Sequence, residues 1–153
     1  MTRHVLVPVD SSAPARAAFE FACEQYPDAR LTLLYVVDPM ADYSRRRAFP
    51  GYVDEDEFRN EREKGEAILE SLLEGVPEDV TVETALEAGE PARTIVAYAD
   101  DNEVDGIVIG SHGRSGPARY LLGSTAETVV RRSAVPVTIV RGSPDGRSDR
   151  GDE

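Results

Sequence analysis

From the end of an apolar run the chain reads Gly110-Ser111-His112-Gly113-Arg114-Ser115-Gly116, and after six intervening residues it reaches Gly123-Ser124-Thr125. Glycines let a backbone come close to phosphate oxygens and adopt positive φ. Gly123-Ser124 stands where a helix-like segment begins, and the free amides and positive dipole end of a helix favour an anion. Together these residues describe a phosphate cradle. A tight turn after a strand, with Ser124 as an ordinary helix cap, accounts for the same residues without a ligand. The pattern is not a Walker loop, because no Gly-Lys-Ser/Thr occurs and the single lysine, Lys64, lies elsewhere. Nor is it the dinucleotide fingerprint, which belongs after the first strand.

A second polar cluster, Asp10-Ser11-Ser12, follows the first apolar run. Asp10 reads either as a ligand contact or as a cap for the next helix. His112 has no carboxylate partner close in sequence, so no general base is assigned to it. It reads as backbone and ring packing. Arg114 and Arg119 are the nearest cations to the cradle and could equally pair with surface acids. The only cysteine, Cys23, falls inside an amphipathic helix pattern and reads as a small buried hydrophobe. His4 and His112 are the only histidines and lie on different elements, so neither a metal site nor a catalytic constellation is assigned.

Five apolar runs alternate with helix-like segments: Val5–Val9, Leu31–Val37, Val80–Leu86, Ile107–Ile109 and Val135–Val140. Most are unbroken and β-branched, as strands covered on both faces are. The third alternates apolar with polar residues and is expected at a sheet edge. The first helix opens at Ser11 or Ser12 with Pro14 in its first turn. The second covers roughly 54–74, with Gly65, Ile68, Leu69, Leu72 and Leu73 on one face. The third starts at Pro91 and carries Ile95, Val96 and Ala99. The fourth begins at Ser124, which with Glu127 reads as a capping box.

Strands alternating with helices imply right-handed crossovers and a parallel sheet. The fold expected is a single-domain, doubly wound α/β one, a five-stranded Rossmann-like sheet with helices on both faces. Pro8 sits awkwardly in it, since proline cannot donate to a ladder, and is tolerable only near the strand's end. In such a sheet, ligands bind beyond the strands' carboxyl ends where strand order reverses. If the first and fourth strands are neighbours there, Asp10 and Gly110 face one crevice. Residues 38–53, with Pro39, Arg45-Arg46-Arg47 and Pro50-Gly51, form a long connection whose arginines read as a solvated loop or as a contact for an anion or a partner. The domain is expected over 1–142, with 143–153 a disordered tail.

Twenty-nine acids against seventeen bases give a formal charge of -12. Such a surface repels phosphate backbones, so nucleic acid is not an expected partner. The acids are dispersed along the chain, which suggests a halophilic surface adapted to a salt-rich cytosol, where screening relieves self-repulsion. No apolar run approaches the ~20 residues of a membrane helix. The start of the chain has no signal-peptide design. A cytoplasmic location and no membrane partner are expected.

The spacing Gly110-x2-Gly113-x9-Gly123-Ser124 resembles the nucleotide motif of the universal stress protein (UspA-like) family. Val7-Pro8-Val9-Asp10-Ser11-Ser12, Leu34-Tyr35-Val36-Val37-Asp38 and Val135–Val140 match further blocks in the same order. The resemblance implies the adenine nucleotide alpha hydrolase-like fold and the family's ATP-binding subgroup. It implies a nucleotide-binding set of Pro8, Val9, Asp10, Val36, Ile109, Gly110, His112, Gly113, Gly123, Ser124 and Thr125. Within that set Asp10 lies against the nucleoside, Val9 and Val36 line the adenine slot, and Ile109, Gly110, His112 and Gly113 follow ribose and phosphates. Gly123, Ser124 and Thr125 hold the phosphates. It also implies a homodimer formed through the edge strand Val135–Val140. The ligand expected is ATP or another adenine nucleotide, with Mg²⁺ in attendance. A regulatory or protective stress role is expected. A slow ATP-hydrolysing or adenylyl-transferring enzyme and a nucleotide-independent interaction module are the alternatives.

Overall fold

The computed structural model describes residues 2–38, 54–112 and 122–142, with 54–58 described in backbone only. Five strands form one sheet: β1 (His4–Pro8), β2 (Arg30–Val37), β3 (Thr81–Ala88), β4 (Gly106–Gly110) and β5 (Val137–Val140). Their spatial order is β3-β2-β1-β4-β5 and every neighbouring pair is parallel. The helices are α1 (Ala13–Gln25), α2 (Asp54–Leu73), α3 (Pro91–Asp101) and α4 (Ser124–Arg132). This is the doubly wound five-stranded sheet that the alternation of runs predicts.

Side chains of a strand alternate between faces, so β1 feeds two cores. Val5, Val7 and Val9 join Leu31, Leu33 and Tyr35 beneath α1 and α2, against Phe19, Leu69 and Leu72. Leu6 joins Leu34, Ile107 and Ile109 beneath α3 and α4, against Ile95, Ala126 and Val129. Each fully buried leucine, isoleucine or valine stabilises the fold by roughly 1.5–3 kcal/mol over leaving it in water. The central strands are therefore the best anchored part of the molecule, and the site rests on them.

β3 lies at one edge and is largely exposed, as its alternation predicts. β5 occupies the other edge and is shorter than the run Val135–Val140. The Ser133 hydroxyl accepts from the Val135 amide at 3.0 Å and donates to its carbonyl at 2.7 Å, holding a turn before the strand. On α2, Gly65, Leu69 and Leu72 are buried as expected and Ile68 is half-buried, but Leu73, the last residue of the helix, is 37% exposed. Gly65 has a packing reason. A Cβ on it would stand 2.5 Å from the Tyr35 ring, so the missing side chain lets that ring lie against the helix.

Candidate functional site

Chain order runs outward from β1 through β2 to β3 on one side and from β4 to β5 on the other. The reversal falls between β1 and β4, so Asp10 and Gly110 do face one crevice. Pro8 helps to open it. The β1–β4 ladder pairs Val5 with Gly106 and Leu6 with Ile107, and stops. Its next rung would need an N–H on Pro8, which proline lacks. Beyond that point β1 bonds to β2, through Val9 N–H to the Leu34 carbonyl at 2.9 Å. β4 bonds to β5, through Ser111 N–H to the Val140 carbonyl at 2.9 Å. The two central strands thus part company at the residue that looked least suited to a central strand.

Three helix starts surround the opening. α1 is capped by Ser12, whose hydroxyl accepts from Ala15 N–H at 3.2 Å. Asp10 accepts from Ser12 N–H at 2.8 Å, so part of its role is to hold this turn. α3 is capped by Glu90, which accepts from Arg93 N–H at 2.9 Å and Ala92 N–H at 3.4 Å. α4 differs from the expectation: its cap is Gly123, not Ser124, and among the described residues no side chain caps it. Ser124 is the first helical residue, so the capping box with Glu127 does not form. Glu127 instead pairs with Arg131 one turn on, at 3.1 Å. The first-turn amides of α4 are left without a partner inside the helix.

The described glycines of the cradle work by close approach, since neither Gly110 nor Gly123 has positive φ. A Cβ on Gly110 would stand 2.8 Å from the Pro14 backbone, so this glycine seats the first turn of α1 on β4. A Cβ on Gly123 would stand 3.0 Å from His112 Cα and Cβ. Gly123 N–H also donates to the Ser111 carbonyl at 2.6 Å, fastening the start of α4 to the end of β4.

Above the strand ends lies a cleft of about 650 Å³. Pro8, Val9, Asp10, Val36, Ile109, Gly110, His112, Gly123, Ser124 and Thr125 all line it. Gly113 lies outside the described residues, as do Arg114, Arg119 and the Arg45–Arg47 run. Sequence reasoning missed Tyr35, Asp38, Glu61, Pro91 and Ile95 on the same wall. Asp38 had a signal, because it follows β2 as Asp10 follows β1. Glu61 and Ile95 are carried over the strand ends by α2 and α3, and no local pattern marks them.

The wall is apolar around Val9, Leu34, Val36, Ile95 and Ile109, and polar at two places. The start of α4 brings open amides with the Ser124 and Thr125 hydroxyls. The end of β2 and the adjoining α2 bring Asp38 and Glu61, with Asp10 between. A ligand that fits is anionic at one end, flat and apolar in the middle, and a hydrogen-bond donor at the other. Among the described residues no group of three His, Cys, Asp or Glu side chains could hold a metal ion. No described helix is long and apolar enough to cross a membrane.

Known proteins share this arrangement. The family model of the universal stress protein family matches residues 1–141. Universal stress protein YxiE of Bacillus subtilis is 35% identical over 148 residues, spanning 92% of this chain and 100% of that protein. The solved structure of universal stress protein UspA from Lactobacillus plantarum superposes with a TM-score of 0.76 at 30% identity, covering 91% of this chain and 97% of the other. A universal stress protein in complex with cAMP superposes with a TM-score of 0.55 at 26% identity, covering 93% and 98%. On fold and sequence alike, this chain belongs to the universal stress protein family.

Proposed function

We propose that the cleft binds an adenine nucleotide, with ATP the first candidate, and that its occupancy regulates or protects rather than being consumed. The observation that carries this reading is the start of α4, uncapped by any described side chain and opening into a cleft at the sheet's reversal point. Unpartnered amides and the positive helix end suit phosphate oxygens. The cleft's volume is within the roughly 300–1,000 Å³ of small-molecule sites.

The phosphates then lie on Ser124 and Thr125, and the base lies toward β2 between Val9, Val36 and Ile109. The carboxylates Asp38 and Glu61 stand at the end where a base amino group would donate. Adenine is favoured by the family, since a relative of similar fold binds cAMP. Mg²⁺ would arrive on the phosphates, with one or two carboxylates such as Asp10 completing its shell. Phosphoryl transfer needs a group that orients the attacking water. Asp10 is the candidate the strand ends offer, and it already accepts from Ser12 N–H. That engagement favours binding over turnover.

The full functional unit proposed is a domain over 1–142 with a tail beyond it, acting in the cytoplasm as a homodimer joined along β5. The test is calorimetric titration of ATP, ADP and AMP, with and without Mg²⁺, into protein unfolded and refolded to strip bound nucleotide. Wild type should bind, and Ser124→Ala with Thr125→Ala should bind more weakly while remaining folded. Folded wild type that takes up no adenine nucleotide would overturn the proposal.

A further inference from the structure

At the opposite end of the sheet from the cleft, His4 opens the central strand with only 5% of its surface exposed. Its Nε2 lies 2.8 Å from the Thr32 hydroxyl, itself buried. Its Nδ1 has two neighbours that make opposite demands. The Asn102 carbonyl, 3.2 Å away, can only accept, so it needs a proton on Nδ1. The Arg30 guanidinium, 2.9 Å away, can only donate, so it needs a lone pair there. One nitrogen cannot serve both.

We propose that His4 and Arg30 form a proton-driven partner exchange at the base of the sheet. Neutral His4 accepts from Arg30 on Nδ1 and donates from Nε2–H to Thr32. Uptake of a solvent proton on Nδ1 turns that nitrogen toward the Asn102 carbonyl and releases Arg30 to Glu83 on β3.

The charged groups facing His4 come from every neighbouring element. Arg30 on β2 opposes protonation, whereas Glu83 on β3 and Asp105 before β4 favour it. Asp105 is already fixed, accepting from the His4 backbone N–H at 2.8 Å. Tyr98 on α3 feels Glu87, Glu83 and Arg30, and burial first pushes its phenol above its already high ordinary pKa, so it stays neutral here. Burial first, then Arg30, holds the imidazole below its ordinary pKa, which makes the Arg30-bound form the neutral-pH state. The acceptor for the released guanidinium is in place: Arg30 Nη1 is 3.9 Å from Glu83 Oε2, and both side chains are about half exposed and able to move. The exchange would tie β2 more firmly to the β3 edge as pH falls, independently of whether the cleft is filled.

Imidazole nitrogen NMR on the full chain tests this, from above neutrality down to about pH 5, the range in which histidine changes charge. With two histidines in the sequence, His4→Gln assigns the signals. The expected result is a proton on Nε2 at the alkaline end. Nδ1 then gains a proton on acidification, and the Arg30 guanidinium signals move with the same midpoint. Arg30→Met should shift the His4 midpoint up, and Glu83→Gln should shift it down. A proton on Nδ1 at the alkaline end would overturn the exchange. So would a His4 midpoint that neither variant moves. If Arg30→Met fails to fold, the Glu83→Gln shift decides alone.

Discussion

The cap of α4 is Gly123, so the helix does not draw on the Ser124 hydroxyl, which is left for whatever enters the cleft. Ser124→Ala is therefore expected to change stability by less than about 0.5 kcal/mol, as exposed substitutions usually do. It should weaken ATP about tenfold, the worth of one charge-assisted hydrogen bond. Calorimetry beside a urea melt reads both. Gly110 cannot serve for the same test. A side chain there meets the Pro14 backbone at 2.8 Å, so lost binding would not be separable from a damaged fold. His4 makes a prediction about pH. Its pKa is lowered in the folded chain, so the unfolded chain binds more protons over the interval below about pH 6.5. Its contribution to stability is present above that interval and is lost as pH falls through it. Urea midpoints of wild type should drop more steeply between pH 7 and pH 5 than those of His4→Gln, and parallel curves would refute this.

α2 is held to the sheet at one crowded place. Alanine at position 65 would gain about 1 kcal/mol of helix propensity over glycine. Its Cβ would stand 2.5 Å from a Tyr35 ring that is 4% exposed and has little room to retreat. Overpacking of this kind costs roughly 1–3 kcal/mol. Gly65→Ala is thus expected to destabilise on balance and, because Tyr35 lines the cleft, to weaken nucleotide as well. A raised melting temperature would show that the ring yields freely. The elements themselves were largely legible in the sequence, and for physical reasons. β1, β2 and β4 are unbroken apolar runs because strands covered on both faces have no use for polar side chains. β3 alternates because one of its faces meets water. The start of α4 misled, since Ser124 and Glu127 have the spacing of a capping box. What distinguishes an open helix end is the backbone at Gly123, one residue earlier. Of the cleft wall, the strand-end residues Asp10, Gly110 and His112 could be placed from order, and Val36 only from the family resemblance. Glu61 and Ile95 could not, because their position depends on how far α2 and α3 reach over the sheet.

At the scale of the whole molecule, the β5 edge and the net charge make opposing demands on association. β5 bonds to β4 through the backbone of its even-numbered residues, as Ser111 N–H to the Val140 carbonyl and Ile107 N–H to the Pro136 carbonyl show. Val137 and Ile139 accordingly present N–H and C=O to the open edge. If that edge joins two copies, Ile139→Pro removes one of its donors while sparing the β4 ladder, and light scattering should record a shift from dimer to monomer. An unchanged mass would move the interface elsewhere. A charge of -12 works against both compaction and pairing, and salt relieves it. Melting temperature should accordingly rise from dilute buffer to molar KCl, and a flat response would remove the case for a salt-adapted surface.

The hydrogen bond from Gly123 to the Ser111 carbonyl has a consequence for how such a protein can change over time. Because it joins the chain just before residue 112 to the chain just after residue 122, whatever lies between begins and ends at a single fastened point. Lengthening a segment closed in this way costs only about 0.6 kcal/mol for each doubling. Insertions, deletions and substitutions in that stretch would leave the ladder, the cores and the start of α4 where they are. The frame that carries the cleft is in this way insulated from changes of length in the sequence between those two points.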